Sequence, residues 1–190
     1  MLNLEFIKTK INSHKPTYLP DDGCIRGAVV IPIFKMNNHI YMLFTKRTED
    51  LPTHKGQISF PGGRKDGNDE SLLATALRET NEEIGLSSSS LEVWGELDQI
   101  RTHTSNFLLS VFLCFIPYPF KLTLNEKEVE EILEVPLEEL LDAKNWVQKE
   151  FRDENTLHNV WFFDFHSKII WGATAEIVKQ FLSLLHEEPY

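Results

Sequence analysis

Three glutamates, Glu79, Glu82 and Glu83, lie within five residues of one another in a stretch whose pattern predicts a helix. At 100° per residue, their side chains fall within an arc of about 100° on the helix surface. Carboxylates crowded in this way repel one another, so the cluster lowers stability unless a positive charge lies among them. Hard divalent cations such as Mg²⁺ take oxygen ligands and commonly bridge protein carboxylates to substrate phosphates. The spacing therefore indicates a metal-dependent enzyme acting on a phosphate compound, with Mg²⁺ or Mn²⁺ as its cofactor.

The other side of this predicted helix is apolar, which gives one stripe for a core and one acidic stripe. The apolar stripe consists of Leu73, Leu77, Thr80 and Ile84. Gly85 follows at the position where helices commonly end. An ordinary amphipathic helix with a solvated acidic face has the same pattern. The Pro-Gly-Gly turn at residues 61–63 and the order Arg-Glu-x-x-Glu-Glu-x-Gly favour a metal site instead.

Residues 63–86 resemble the signature of the Nudix hydrolases, G-x5-E-x7-R-E-U-x-E-E-x-G-U, in which U is a bulky aliphatic residue. The matching positions are Gly63, Arg78, Glu79, Glu82, Glu83, Gly85 and Leu86. Thr80 stands where an aliphatic residue is expected, and one extra residue separates the two halves. The early acidic position is therefore either Asp69 or Glu70.

A similar spacing, often with Asp at the early acidic position, occurs in the branch resembling coenzyme A pyrophosphatases. That branch also has an upstream pattern, L-L-T-x-R-[SA]-x3-R-x3-G-x3-F-P-G-G. This chain keeps the spacing but has Phe44, Thr48 and Pro52 at three of its positions. Pro52 replaces the second arginine, which removes a bidentate partner for phosphate or carboxylate that proline cannot imitate. The resemblance covers about residues 25–185.

The resemblance implies metal ligation by Glu79 and Glu83, and one helical turn, about 6 Å of rise, lets both reach one cation or bridge two. Glu82 is expected to be either a third ligand or the partner that Arg78 holds in place. Arg78 is expected mainly to neutralise the acidic cluster, and with Glu82 it belongs to the expected catalytic group.

The resemblance also implies a substrate-binding set formed by Arg47, Gly62 and Gly63. Asp69 or Glu70 precedes the helix, where a carboxylate either caps the N-terminus or joins the metal ligands. Further basic residues that could surround an anionic substrate are Lys46, Lys55, Arg64, Lys65 and Arg101. For these, a solvated surface position is the simpler interpretation.

A base must deprotonate the attacking water, and the family takes it either from the helix or from a later loop. Glu128 matches the loop glutamate and is the expected base. It lies in the run Asn-Glu-Lys-Glu-Val-Glu-Glu at residues 125–131, which a solvated acidic surface would explain equally well. His54 and His103 are the alternatives.

The implied reaction is attack of water on phosphorus in a diphosphate linkage, with coenzyme A or its derivatives cleaved to 3′,5′-ADP and 4′-phosphopantetheine. The nearest alternative is a Nudix hydrolase of ADP-ribose, a dinucleotide or a nucleotide sugar. A catalytically silent Nudix-fold binding module is a second alternative, which the intact glutamates disfavour. A general Ca²⁺- or protein-binding domain is a third, which fits the charge but not the spacing.

The composition of the whole chain indicates one domain with a sizeable core, because 42% of its 190 residues are hydrophobic. We expect an N-terminal extension at residues 1–24 and the Nudix domain at residues 25–186. A formal net charge of −10 disfavours nucleic acid and anionic membranes as partners. Two distant cysteines and no signal-like N-terminus predict a cytoplasmic protein. A small-molecule diphosphate is the expected partner, and a homodimer is possible.

The elements that must position these residues follow from periodicity. Strands are predicted at residues 26–34, 40–46, 57–60, 91–97, 107–116 and 160–165, with a turn at 36–39. Helices are predicted at the glutamate motif, at 136–141 and at 174–186. Together with the resemblance, this predicts an α/β fold, the Nudix-type α/β/α sandwich with a mixed sheet.

Overall fold

The centre of the molecule is a hairpin of two apolar strands, β1 (Ile25–Met36) and β2 (His39–Arg47), in the computed structural model, which describes residues 2–102, 104–153 and 156–186. Asn37 and Asn38 join them with φ of 49° and 67°, the backbone geometry that tight turns between twisted strands require. The predicted turn at residues 36–39 is thus confirmed.

An eight-stranded mixed sheet is built around this hairpin. Its other strands are β3 (Ile58–Ser59), β4 (Gly62–Arg64), β5 (Glu92–Glu96), β6 (Ile100–Arg101), β7 (Phe107–Phe115) and β8 (Val129–Pro136). The central order is β3-β2-β1-β7-β5, with β4 on β1, β6 on β7 and β8 on β2. β1 and β7 run parallel and the other pairs are antiparallel, as predicted for a mixed sheet.

Helices cover both faces of this sheet because strand side chains alternate between two separate cores. In β7, Val111 and Leu113 belong to one core, whereas Phe112 and Cys114 belong to the other. The first core also contains residues of α1 (Leu4–Ser13), α3 (Leu137–Leu141) and α4 (Gly172–His186), and the second contains residues of α2 (Leu72–Ile84). The α/β/α sandwich is confirmed.

A second, three-stranded antiparallel sheet consists of β9 (Trp146–Asp153), β10 (Thr156–Phe165) and β11 (Lys168–Trp171). One face is buried through Trp146, Phe163 and Ile170. The other face exposes Val147 and Phe151. The sequence predicted only part of β10, because the flanking strands mix apolar and charged residues without clean alternation.

Two further stretches differ from the expectation. Residues 125–131 were interpreted as a loop, yet β8 begins at Val129 and pairs with β2. The N-terminal segment contains α1, whose Ile7 and Ile11 are fully buried. Asn3 caps this helix by accepting a hydrogen bond from the Phe6 N–H.

No helix within the described ranges is long and apolar enough to cross a membrane.

Candidate active site

Two glycines in β4 bring the sheet close to helix α2. Gly62 has a φ of 150°, and a Cβ atom on it would lie 2.3 Å from the carbonyl oxygen of Ala28, so a larger residue does not fit. A Cβ atom on Gly63 would lie 2.5 Å from the carboxyl carbon of Glu79. The missing side chains therefore leave room for carboxylates of α2 beside β4.

Glu83 is only 4% exposed. Its Oε2 accepts a hydrogen bond from the Gly62 N–H at 3.3 Å, and Arg47 Nη1 lies 4.0 Å from its Oε1. Burial raises the pKa of Glu83 to about 8 against these two favourable contacts, and the nearby carboxylates of Glu79 and Glu128 raise it further. Only one guanidinium, 4.0 Å away, offsets the negative charge of this buried carboxylate. A bound divalent cation would supply the missing positive charge.

The other two helix glutamates lie in different surroundings. Glu79 has an 18% exposed side chain, and burial raises its pKa although Arg78 Nη1 lies 2.8 Å from its Oε1. Glu82 has a 54% exposed side chain and lies 3.1 Å from the same nitrogen of Arg78. The structure therefore brings Glu79 and Glu83 together beside the glycines and leaves Glu82 on the solvent side.

Asp69 is the main partner of Arg78. The Arg78 Nε and Nη2 groups donate to Asp69 Oδ1 and Oδ2 at 2.9 and 3.0 Å. These hydrogen bonds lower the pKa of Asp69 and raise that of Arg78, so both groups stay charged. The carboxylate of Asp69 also accepts a hydrogen bond from the Thr75 hydroxyl at 2.9 Å. Arg78 thus links the loop before α2 to two of its glutamates.

Neither Asp69 nor Glu70 caps helix α2, which excludes one of the two roles expected for this early acidic position. Ser71 is the N-cap, and its Oγ accepts a hydrogen bond from the Ala74 N–H at 3.0 Å. Asp69 lies two residues too early and is held by Arg78 instead. At the other end, Gly85 has a φ of 73° and ends the helix, as predicted.

Glu128 reaches the cluster from the turn before β8. Its carboxylate accepts a hydrogen bond from Asn125 Nδ2 at 3.0 Å, and its charge raises the pKa of both Glu79 and Glu83. The backbone N–H of Asn125 donates to the Glu83 carbonyl at 2.9 Å, which ties this turn to the end of α2. Three carboxylates from two distant parts of the sequence therefore line the same cleft.

Arg47 lies at the end of β2, where the pairing with β8 shifts register. Its Nε is buried and has no hydrogen-bond partner within the described part of the chain. His54 has a φ of 56° and its Nδ1 lies 2.9 Å from Gln57 Oε1. Both side chains line the same cleft as the glutamates, whereas His103 lies outside the described residues. Pro52 is exposed in the bend between Arg47 and His54.

This cleft has a volume of about 970 Å³, large enough for a nucleotide-sized ligand. Its lining includes Arg47, His54 and Arg64, the glycine pair, and Glu79, Glu83 and Glu128. Further lining residues belong to β7, the second sheet and the start of α4. Arg101 points elsewhere, because its Nη2 donates to the Pro20 carbonyl at 2.7 Å and to Asp22 Oδ2 at 3.1 Å.

The donor chemistry of this cleft suits a hard divalent cation, since its convergent groups are carboxylate oxygens, two of them with raised pKa. Within residues 2–102, 104–153 and 156–186, no three His, Cys, Asp or Glu side chains are already close enough to form a ligand set.

The order of these residues along the chain matches a known family. The NUDIX domain model matches residues 25–154, more than half of the chain. The chain belongs to the Nudix family. As a Nudix hydrolase, it is an enzyme that acts on acid anhydrides in phosphorus-containing compounds, and members of the family generally use divalent metal ions.

Curated relatives and solved structures agree with this family. The chain is 34% identical over 159 residues to an uncharacterized Nudix hydrolase named NudL from Photorhabdus laumondii, covering 84% of each chain. A NudL from Yersinia pestis is 33% identical over 154 residues, covering 81% of this chain and 76% of the relative. A MutT/nudix family protein from Enterococcus faecalis has the same fold, with a TM-score of 0.61, 16% identity and coverage of 98% and 71%. An Ap4A hydrolase from C. elegans has a TM-score of 0.51, 19% identity and coverage of 60% and 81%.

Sequence reasoning missed several residues that the structure places at the site. Asn125 belonged to the presumed acidic run and received no role, although it holds Glu128. Phe151, Val160 and Trp171 line the cleft from the second sheet. Val160 lay in a predicted strand and Trp171 in the resembling stretch, but no local pattern shows which side chains face a cleft formed by distant segments.

Proposed function

We propose that this Nudix hydrolase cleaves the diphosphate of coenzyme A or its thioesters, giving 3′,5′-ADP and 4′-phosphopantetheine or its acyl derivative. The observation that carries the proposal is the convergence of Glu79, Glu83 and Glu128 beside Arg47 in one cleft. The upstream pattern from β2 to the glycine pair supports coenzyme A among the possible diphosphates.

In this proposal, Glu79 and Glu83 hold Mg²⁺ or Mn²⁺, and Glu82 serves either as a third ligand or as the partner of Arg78. The bound ion supplies positive charge that neutralises the diphosphate and lowers the pKa of a coordinated water. Arg78 lies on α2 and donates hydrogen bonds to Asp69, which fixes the loop before α2 to the helix. The backbone at Gly62 and Gly63 lies close to the glutamates and leaves the phosphates room to approach.

Glu128 takes the proton of the attacking water in this scheme. Asn125 donates a hydrogen bond to its Oε1, which orients the carboxylate and leaves its second oxygen for the water. Arg47 contributes a guanidinium whose buried Nε has no hydrogen-bond partner among the described residues, beside the place where negative charge would lie. His54 lines the same cleft and remains the alternative base.

Pro52 is the specific feature that favours a second candidate, a Nudix hydrolase of ADP-ribose, a dinucleotide or a nucleotide sugar. It occupies the position of an arginine that would otherwise contact phosphate or a neighbouring carboxylate. With either substrate class we expect a cytoplasmic enzyme with a small-molecule partner, and the high negative charge disfavours nucleic acid.

The test is a chromatographic screen of products formed in Mg²⁺, Mn²⁺ and EDTA. The substrates are coenzyme A, dephospho-coenzyme A, ADP-ribose, NADH and nucleotide sugars, with Glu83→Gln as the inactive control. Appearance of 3′,5′-ADP from coenzyme A in Mg²⁺ but not in EDTA is the expected result. Cleavage of a nucleotide sugar or dinucleotide without any cleavage of coenzyme A would assign the second candidate.

A further inference from the structure

The part of the cleft that is lined by the second sheet and β7 is largely apolar. Phe151, Val160 and Trp171 lie on the same face of the second sheet. Val160 pairs with Lys149, which is two residues from Phe151, and Trp171 pairs with Phe162, which is two residues from Val160. Phe107 and Leu109 of β7 extend this lining. We call these five residues the apolar wall.

Two aromatic side chains of the apolar wall are unusually open to solvent. Phe151 is 51% exposed and Trp171 is 36% exposed. Large aromatic side chains gain free energy when they are covered, so rings left open in a cleft mark a place where a ligand is expected to bind. The uncovered area lies in the same cleft as the three carboxylates.

Trp171 is held in position before any ligand arrives. Its ring stacks on Phe162 with ring centroids 5.9 Å apart and planes inclined by 4°. Lys149 Nζ lies 4.9 Å from the centroid of Phe162 on the same sheet. A fixed ring loses little conformational entropy on binding, so this surface is preorganised for an apolar partner.

Charged groups are distributed unequally among the residues that line the cleft. Arg47, His54 and Arg64 belong to β2, to the bend before β3 and to β4. None of the described lining residues of β7, the second sheet and α4 is Lys, Arg or His, and the polar side chains there are Thr174 and Glu176. A phosphate group beside these residues would lack a cationic partner among the lining side chains, whereas an uncharged arm would not need one.

We propose that the apolar wall binds an uncharged, largely apolar arm of the diphosphate substrate, so that an acyl chain on this arm raises affinity. This inference rests on the proposed function, in which the diphosphate lies at the glutamates. For a coenzyme A thioester, the pantetheine arm and its acyl chain then lie against Trp171 and Phe151. The phosphorylated adenosine lies on the side of Arg47.

The test compares the affinities of coenzyme A and octanoyl-coenzyme A by calorimetry with Ca²⁺ in place of Mg²⁺. Chromatography checks that neither ligand is hydrolysed during the titration. If hydrolysis occurs, the KM values of the two ligands are compared instead of their dissociation constants. We expect octanoyl-coenzyme A to bind at least about tenfold more tightly, since several methylene groups are removed from water. Trp171→Ala, Phe151→Ala and Val160→Ala should each reduce this gain to about threefold or less.

Val147→Ala is the matched control for Val160→Ala. Val147 is 52% exposed on the same face of the same sheet but does not line the cleft, so the gain should be unchanged. The use of three wall variants keeps the test decisive if one of them fails to fold.

Four outcomes would overturn this inference, and a fifth would overturn only the proposed function. Equal affinities for the two ligands, no binding of either, or a gain that survives in the folded wall variants would each overturn the apolar wall. A gain lost equally in Val147→Ala would overturn it too, because the binding would be unspecific. If octanoyl-coenzyme A binds through the wall but Mg²⁺ produces no cleavage, the proposed reaction is wrong and the apolar wall stands.

Discussion

Glu79, Glu82 and Glu83 have the same chemistry and nearly the same sequence position, yet they differ in burial and in their contacts. Glu83 is buried against Gly62 and Arg47, Glu79 lies beside Gly63, and Glu82 extends toward solvent. Helical spacing alone places all three on one arc. The difference arises from β4, which approaches only the side of α2 that carries Glu79 and Glu83.

Replacement of Glu128 tests the base at the scale of one residue. Glu128→Gln removes the proton acceptor but keeps a side chain that can still contact Asn125, so we expect kcat to fall by about 10²–10⁴-fold. The affinity for Mn²⁺ should change little, because Glu128 is proposed to act on water rather than to hold the ion. Steady-state kinetics over pH and a metal titration are the measurements.

Glu126→Gln is the matched control, since Glu126 is an exposed glutamate two residues away in the same turn. Its turnover should equal that of the parent. An unchanged pH–rate profile in Glu128→Gln would transfer the role of base to the α2 glutamates or to a histidine.

At the scale of elements, the segment after α1 is attached to residues 96–101. Asp98 Oδ1 accepts a hydrogen bond from the Thr17 N–H at 2.7 Å and lies 2.9 Å from His14 Nε2. Gln99 also bonds this segment, accepting from the Leu19 N–H and donating its own N–H to the Thr17 carbonyl. These contacts fix the chain between α1 and β1 and thereby hold α1 in the core.

Asp98→Asn should lower the free energy of unfolding by about 1–2 kcal/mol at pH 7. Burial acts to raise the pKa of Asp98, but the Thr17 N–H and His14 outweigh it, so the pKa is lowered. A lowered carboxyl pKa stabilises the fold above the unfolded value, near 3.8, and this contribution disappears as the pH falls through the lowered value.

Urea unfolding of Asp98→Asn and the parent at several pH values between 7 and 3 measures this effect. The difference between the two proteins should be present above about pH 4 and should shrink below it, as the Asp98 carboxylate of the parent is protonated. A difference that stays constant over this range would contradict the role of the carboxylate charge.

At the scale of the whole molecule, the sequence predicted the elements with strong periodicity and missed those that depend on their neighbours. The β1–β2 hairpin, α2 and α4 were predicted because apolar spacing and turn residues encode them locally. β9 was missed because its outer face is partly apolar and partly charged, and β11 because its four residues carry apolar side chains on both faces, which hides the alternation. The residues of the site fall into the same two groups. The glutamates could be predicted from their spacing, whereas the roles of Asn125 and the apolar wall depend on how distant segments fold together.

Pro52→Arg tests which substrate the whole cleft selects. Restoring an arginine in the bend before His54 should raise kcat/KM for coenzyme A relative to ADP-ribose by roughly tenfold, because a charge-assisted contact contributes about 1.5–3 kcal/mol. Parallel kinetics on both substrates provide the measurement. Pro52→Ala is the control that removes the proline without adding charge, and its preference should match the parent's. A shift of equal size in Pro52→Ala would show that backbone freedom, and not charge, sets the preference.

The most direct test of the account is the Mg²⁺-dependent turnover of coenzyme A by Glu83→Gln. Glutamine keeps the shape and the contact with the Gly62 N–H but removes the charge that is proposed to hold the ion. Relief of carboxylate repulsion should leave the melting temperature at or above that of the parent, while turnover should fall by at least about 10²-fold. Turnover near that of the parent in a protein that melts at the same temperature would contradict the assignment of Glu83 to the metal.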